Sequence, residues 1–264
     1  MTGSLLSPSA RNKRKSEDAM PRFFVCEENI DGEYITLLGD DAHHISFSLR
    51  MAAGEEITVC DRDGNEYICV LSDLDGETVK AKICETRKGE GEPPLEIHVY
   101  QAFPKGDKLE LIIQKAVELG AAYITPFESE RCVKRPKADK IDKQLLRMNK
   151  IATEAAKQCG RARLPEVKAP LSFSEMLGKA SESDLAIFCY EDCHTLSLKE
   201  LLSQKGEGVR SLSVVIGSEG GFSSSEAERV EKCGIIPVSL GKRILRCETA
   251  PIFALSSIAF FYEL

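Results

Sequence analysis

Short apolar runs of strand type come first along the chain. "RFFV" from Arg22, "YITLL" from Tyr34, "EEITVCD" from Glu55, "YICVLSDL" from Tyr67 and "TVKAKICE" from Thr78 are each short enough for single strands. "DRDGNE", Asp61 to Glu66, carries an Asp-Gly hairpin signal between two of them. Residues 20–90 therefore read as a small all-β barrel or sandwich. "KGEGEPP", Lys88 to Pro94, reads as a linker. The rhythm then changes. "LEIHVYQAF" is a strand, Gly106 to Leu119 is an amphipathic helix ended by Gly120, and Tyr123 to Phe127 is a strand again. "DLAIFCYE", "SLSVVIGS" and "GIIPVSLG" add three more strands before a closing apolar helix, "TAPIFALSSIAFFYEL", opened by Thr249 and Pro251. Strands alternating with helices over residues 95–264 predict a parallel sheet flanked by helices.

One helix in this second region has two marked faces. Between Lys140 and Arg161, Ile141, Leu145, Met148, Ala152, Ala155 and Cys159 make an apolar stripe. Lys140, Lys143, Arg147, Lys150, Lys157 and Arg161 line the other side, with Glu154 as the one acid. A solvated face usually mixes signs, so this stripe predicts a surface that meets phosphates.

The ends of three strands attract chemistry. "VVIGSEGGFSSSEAE", Val214 to Glu228, runs from a buried strand through Gly220 and Gly221 into a helix start, where Ser223 and Glu226 fit a capping box. "CYED" and "GKRILRCETA" lie at two further strand ends. Loops at one edge of a parallel sheet build a common pocket. Arg243 and Arg246 bring cations to it. Glu219 and Glu248 bring carboxylates, and Glu248 also suits a helix N-terminus. A nucleotide hydrolase using "GSEGG" as a phosphate loop would need a G-K-[ST] element, which is missing.

Composition sharpens the picture in three ways. The 264 residues are 42% hydrophobic, enough for a full core. Ten cysteines occur without a C-x-x-C pair, which suits reduced thiols in a cytoplasmic protein; "CYEDCH" lacks a second ligand pair, so no metal is expected. No apolar run reaches transmembrane length. The charge is unevenly placed: Arg131 to Arg163 holds 11 Lys or Arg against 3 Asp or Glu, a balance of +8 in a chain of net charge −7, which leaves −15 for the remainder. Such asymmetry predicts a polyanion-binding patch, with Arg131, Lys134, Arg135, Arg161 and Arg163 as its contacts. Residues 1–19 are polar with a basic run and read as a disordered leader, an upstream start or an expression remnant.

"IGSEGGFSSSE" and "LGKRILRCETA" resemble the signature of the RsmE-type RNA methyltransferases of the SPOUT superfamily. The resemblance runs from Met20 to the C-terminus and includes "RFFV", "HHISFSLRMAAGEEI", "QKAVELGAAYITPFESERCV" and "EAAKQCGRARLPEV". Ser218 stands where the family usually has proline, and Cys247 where a small or hydroxyl residue is usual. The resemblance implies a PUA-like β-barrel over 20–90 and a SPOUT domain over 95–264 with a C-terminal trefoil knot. It implies S-adenosylmethionine as cofactor, a homodimer, and methylation of uridine N3 in small-subunit (16S) ribosomal RNA. Another RNA uridine, or an inactive RNA-binding scaffold, stands as the alternative.

On that basis the cofactor pocket is expected to take Tyr190, Glu191, Ile216, Gly217, Glu219, Gly220 and Gly221 from two loops. Leu240, Gly241, Ile244, Leu245, Arg246, Glu248, Thr249 and Ala250 come from the third. Apolar Ile216, Leu240, Ile244 and Leu245 suit the faces of an adenine, and glycine backbone its edge. Arg246, then Arg243, would stabilise the uracil anion, with Glu219 or Glu248 orienting a cation or taking the N3 proton. By resemblance Arg22, His44 and Arg50 of the barrel are RNA contacts, although His44 equally suits an interior histidine.

Overall fold

A computed structural model describes residues 20–133, 140–193 and 196–264. Lys134, Arg135 and the first nineteen residues lie outside them. The first unit is a six-stranded sheet in the order β1-β4-β5-β6-β3-β2. Its strands are β1 (Arg22–Phe24), β2 (Ile30–Asp31), β3 (Tyr34–Leu38), β4 (Glu56–Cys60), β5 (Asn65–Leu74) and β6 (Thr78–Lys88). A short helix, α1 (Gly39–His43), follows β3 and continues as a π-helical turn, His44–Ser48. Phe23, Ile35, Leu37, Ile57, Val59, Leu71 and Val79 fill its core. The Asp-Gly hairpin is anchored by Asp61, whose carboxylate accepts from the backbone N–H of Asp63 and Asn65, from Asn65 Nδ2 and from Tyr67 Oη. Gly64 takes the positive φ of +76° that the turn requires.

The second unit is a seven-stranded sheet, every ladder of which is parallel. Its order is β10-β8-β7-β12-β11-β13, with β9 also paired to β8. The strands are β7 (Glu96–Ala102), β8 (Ala121–Glu128), β9 (Glu166–Val167), β10 (Leu171–Ser172), β11 (Leu185–Cys189), β12 (Ser211–Ile216) and β13 (Ile236–Val238). The helices are α2 (Lys108–Glu118), α3 (Ile141–Cys159), α4 (Phe173–Ala180), α5 (Leu198–Lys205), α6 (Ser224–Lys232) and α7 (Thr249–Glu263). Two apolar clusters cover its two faces. One gathers Ile113, Val117, Met148, Ala152, Leu201 and Leu255 from α2, α3, α5 and α7. The other gathers Phe127, Phe173, Met176, Phe188, Phe222 and Val230, from strands and from helices α4 and α6. α6 begins at the expected capping box: Ser223 Oγ accepts from Glu226 N, and Ser223 N donates to Glu226 Oε2 at 3.0 Å. The same buried glutamate also accepts from Glu130 N at 2.8 Å, so it ties the loop after β8 to α6.

The segment expected to be a linker is built into the junction of the two units. Glu92 Oε1 accepts from Arg161 Nε and from the N–H groups of Ala162 and Arg163, and Glu92 Oε2 accepts from Arg161 Nη2 at 2.7 Å. Arg161 Nη1 donates to the carbonyls of Val117 and Ala121, which close α2 and open β8. Arg22 Nη1 donates to Glu66 at 2.6 Å and to the carbonyl of Arg161 at 3.3 Å. These arginines stitch barrel, linker and sheet together.

Candidate functional site

The loops after β11, β12 and β13 converge at the carboxyl ends of the parallel strands and line one cavity of about 850 Å³. Backbone hydrogen bonds hold the loops to one another: Tyr190 N donates to Val238 O, and Ser239 exchanges bonds with Leu196 and Leu198. From below, fully buried Gln101 donates through Nε2 to Gly217 O at 3.0 Å. The glycines are steric requirements here. A side chain on Gly221, at φ +61°, would collide with the Glu191 carboxylate, and one on Gly217 would meet the Phe222 ring. Ile216, Leu240 and Leu245 give the cavity apolar walls, and the buried Ser218 lines it.

A lysine that sequence reasoning missed organises the charged rim. Lys108, in the first turn of α2, lies 3.0 Å from Glu219 Oε1 and 3.1 Å from Glu248 Oε2. Glu219 also accepts from Lys105 N through both oxygens, at 3.1 and 3.2 Å. Burial works to raise the pKa of each carboxylate, but backbone N–H groups and Lys108 outweigh it and hold both below the ordinary range. Lys108 in turn is held charged by its two hydrogen bonds. Cys247, between them, is pushed up to about 12 by burial and by Glu248, so it stays a neutral thiol. Glu248 makes no side-chain cap to α7. The ion triad, rather than helix capping, accounts for it.

Most residues expected in the pocket line this cavity: Tyr190, Glu191, Ile216, Gly217, Glu219, Gly221, Leu240, Gly241, Ile244, Leu245, Arg246 and Ala250, together with Arg243. Gly220, Glu248 and Thr249 do not line it. Gly220 stands behind it, where its carbonyl accepts from Arg131 Nη1 at 3.0 Å. Arg131 thus braces the glycine loop. Arg246 is exposed, and its guanidinium makes no hydrogen bond or ion pair among the described residues, which leaves it available to a ligand.

The expected RNA contacts divide. Arg161 is 3% exposed and fully engaged with Glu92 and two carbonyls, so it offers RNA no surface in this fold. Arg22 is likewise committed to Glu66 and the junction. The basic face of α3 also differs from the expectation. Arg147 pairs with Glu110 of α2, Lys150 with Asp40 and Lys157 with Asp41 of α1. Lys150 and Lys157 thus dock one unit onto the other, while Arg147 ties α3 to α2 within the second unit. His44 is exposed and so is not an interior histidine; it lines a cleft with Arg22, Lys150 and Lys157 between barrel and α3. Arg50, at φ +53°, and Arg163 are also exposed.

Comparison with known proteins gives a consistent set of relatives. A family model described as an RNA methyltransferase domain matches residues 91–259, and one described as an RNA methyltransferase PUA domain matches residues 37–84. The ribosomal RNA small subunit methyltransferase E of Bacillus subtilis is 35% identical over 252 residues, covering 93% of this chain and 98% of that protein. Its counterpart in Synechocystis is 35% identical over 98% of this chain and 84% of that protein. Among solved structures, the ribosomal RNA small subunit methyltransferase E of Neisseria gonorrhoeae bound to S-adenosyl methionine superposes with a TM-score of 0.82 at 29% identity, over 92% of this chain and 98% of that one. A methyltransferase of Legionella pneumophila with bound cofactor gives 0.81 at 30% identity, over 91% and 97%.

Proposed function

The chain belongs to the family of RNA methyltransferases that carry a PUA domain, and from that premise we propose that it methylates N3 of a uridine in small-subunit ribosomal RNA, with S-adenosylmethionine as donor. The observation that carries the reading is the cavity at the carboxyl edge of the sheet, which Arg246 lines without a side-chain partner among the described residues, with Lys108 on its rim paired to Glu219 and Glu248.

The residues fit the cofactor. The pocket has apolar walls for an adenine, side-chain-free glycines for close backbone approach, a buried hydroxyl at Ser218, and no phosphate-binding lysine after the glycines. When bound, S-adenosylmethionine supplies a methyl group on a positively charged sulfur, so the protein's task is chiefly to place the acceptor. Glu219 and Glu248 are fixed as carboxylates and favour cationic groups beside them. Their lowered pKa values make them weak bases at neutral pH, so their part is orientation. Arg246 can stabilise negative charge on the uracil oxygens as N3 loses its proton. Arg243 lines the same wall.

The reading includes a homodimer, a knotted C-terminal segment and a cytoplasmic location. Support for the dimer comes from α7, which exposes Phe253, Phe260 and Phe261, and from Ile244, 90% exposed on the loop before it. Support for the knot is the way the 239–247 loop passes beside the loops after β11 and β12. No helix among the described residues is long and apolar enough to cross a membrane. Nucleoside analysis of small-subunit RNA from cells lacking the protein tests the function. The expected result is loss of 3-methyluridine, regained on complementation; an unchanged nucleoside profile would refute it.

A further inference from the structure

The opposite edge of the parallel sheet carries a second charged feature. Here the amino ends of β7, β8 and β12 meet the barrel and the junction segment, and a groove of about 550 Å³ opens between them. Arg62 and Lys88 reach it from the barrel, Arg163 from the segment after α3, and Arg210 from the residue before β12. All four are exposed. Arg163 and Arg210 make no side-chain hydrogen bond or ion pair among the described residues. Arg62 has only a thiol contact with Cys26, and Lys88 only the carbonyl of Asp63 at 3.5 Å. The acids present are few or already used. Glu92 is held by Arg161, and Asp184 near Arg210 is held by the N–H groups of Arg210 and Ser211, leaving Asp63 and Glu96 on the lining.

In a protein of net charge −7, four converging cations without carboxylate partners are selective for an anion. The groove is formed by both units rather than by one loop, so it suits an extended ligand. Gly64, Gly89 and Gly120 keep its floor low, and Tyr123 lines it, its ring carrying the Lys168 ammonium at 4.8 Å. Cations along a channel with an aromatic wall are what single-stranded or looped nucleic acid meets. β12 joins this edge to the cofactor edge, a separation of roughly 17 Å at ~3.3 Å per residue.

We propose that this groove holds a phosphodiester segment of the substrate RNA remote from the methylated base, fixing its register on the enzyme. The proposal rests on the RNA methyltransferase reading but concerns a site distinct from the cofactor cavity. The test uses the full chain and an unmethylated transcript of small-subunit ribosomal RNA. Binding is measured against salt for the unaltered protein and for R163Q/R210Q and R62Q/K88Q. Each double variant is expected to bind the transcript at least tenfold more weakly, with a salt slope smaller by up to about two contacts. Melting temperature and S-adenosylmethionine affinity should stay unchanged. Transcript affinity and slope equal to those of the unaltered protein would overturn the groove while leaving the methyltransferase reading intact. So would weakening seen only with assembled subunits, which would place a ribosomal protein there. Failure of the unaltered protein to bind either the transcript or unmethylated small subunits would instead overturn the RNA reading, and the groove with it.

Discussion

At the scale of single residues, Lys108 and Arg246 divide the work of the site. Lys108 joins carboxylates from two loops, Glu219 and Glu248, and is a positioning residue. Lys108→Met should leave both carboxylates repelling each other across the rim. Cofactor affinity in calorimetry should fall by about tenfold, the scale of one charge-assisted hydrogen bond, with Lys108→Arg restoring part of it. An affinity equal to that of the unaltered protein would mean that the triad has no bearing on the cofactor. Nothing in the sequence marks Lys108, since a lysine in the first turn of a helix is ordinary and its partners lie in loops far along the chain. Glu219 was legible because it sits beside glycine at a strand end, where backbone exposure itself signals a ligand, and Arg246 because it brings a cation to the strand-end loop that Gly241 opens. Glu248 was legible only as one of two things, and its contact with Lys108 selects between them.

At the scale of elements, hydrophobic periodicity located the strands and helices that build the site, because those positions face the core and repeat locally. The apolar stripe of α3 was read correctly at Met148, Ala152 and Ala155. Its basic stripe differs in part from the expectation, since Asp40, Asp41, Glu92 and Glu110 answer Lys150, Lys157, Arg161 and Arg147 from other segments, and local charge counting cannot see them. The central strand β7 carries a further consequence. His98 Nε2 lies 2.7 Å from Thr125 Oγ1, and its ring stacks on Tyr100 at 4.1 Å. Burial, with a smaller contribution from Lys168, pushes its pKa down to about 4 from 6.5. The folded state thus refuses a proton that the unfolded chain accepts below about pH 6.5. Stability contributed by neutral His98 is complete above that pH and declines as pH falls toward 4, by about 2–3 kcal/mol. Urea denaturation of the protein and of His98→Gln across this window should give curves that converge toward pH 4; a constant difference would contradict the assignment.

At the scale of the whole molecule, the sheet separates two tasks. Its carboxyl edge carries the cofactor cavity and its amino edge the basic groove, while the Arg161–Glu92 junction holds barrel and sheet in one arrangement. α7 contributes differently. Its inner face packs Ala254, Leu255 and Ile258 into the core, and its outer face leaves Phe253 and Phe260 in water. In the proposed dimer a second copy covers that face, which would account for a helix that is apolar on both sides. Phe260→Glu should therefore convert a dimer to monomer in light scattering at micromolar concentration, with little change in melting of the monomer fold; an unaltered dimer would move the interface elsewhere. The central claim is transfer of a methyl group to uridine N3 with Arg246 beside the developing charge. It is tested most directly by incubating purified protein with unmethylated small subunits and S-adenosylmethionine labelled in the methyl group, then digesting the RNA to nucleosides for mass analysis. Label is expected in 3-methyluridine, with a rate lower by about 10²–10³-fold for Arg246→Ala at saturating RNA. Label on a ribose or another base, or an undiminished rate for Arg246→Ala, would contradict it.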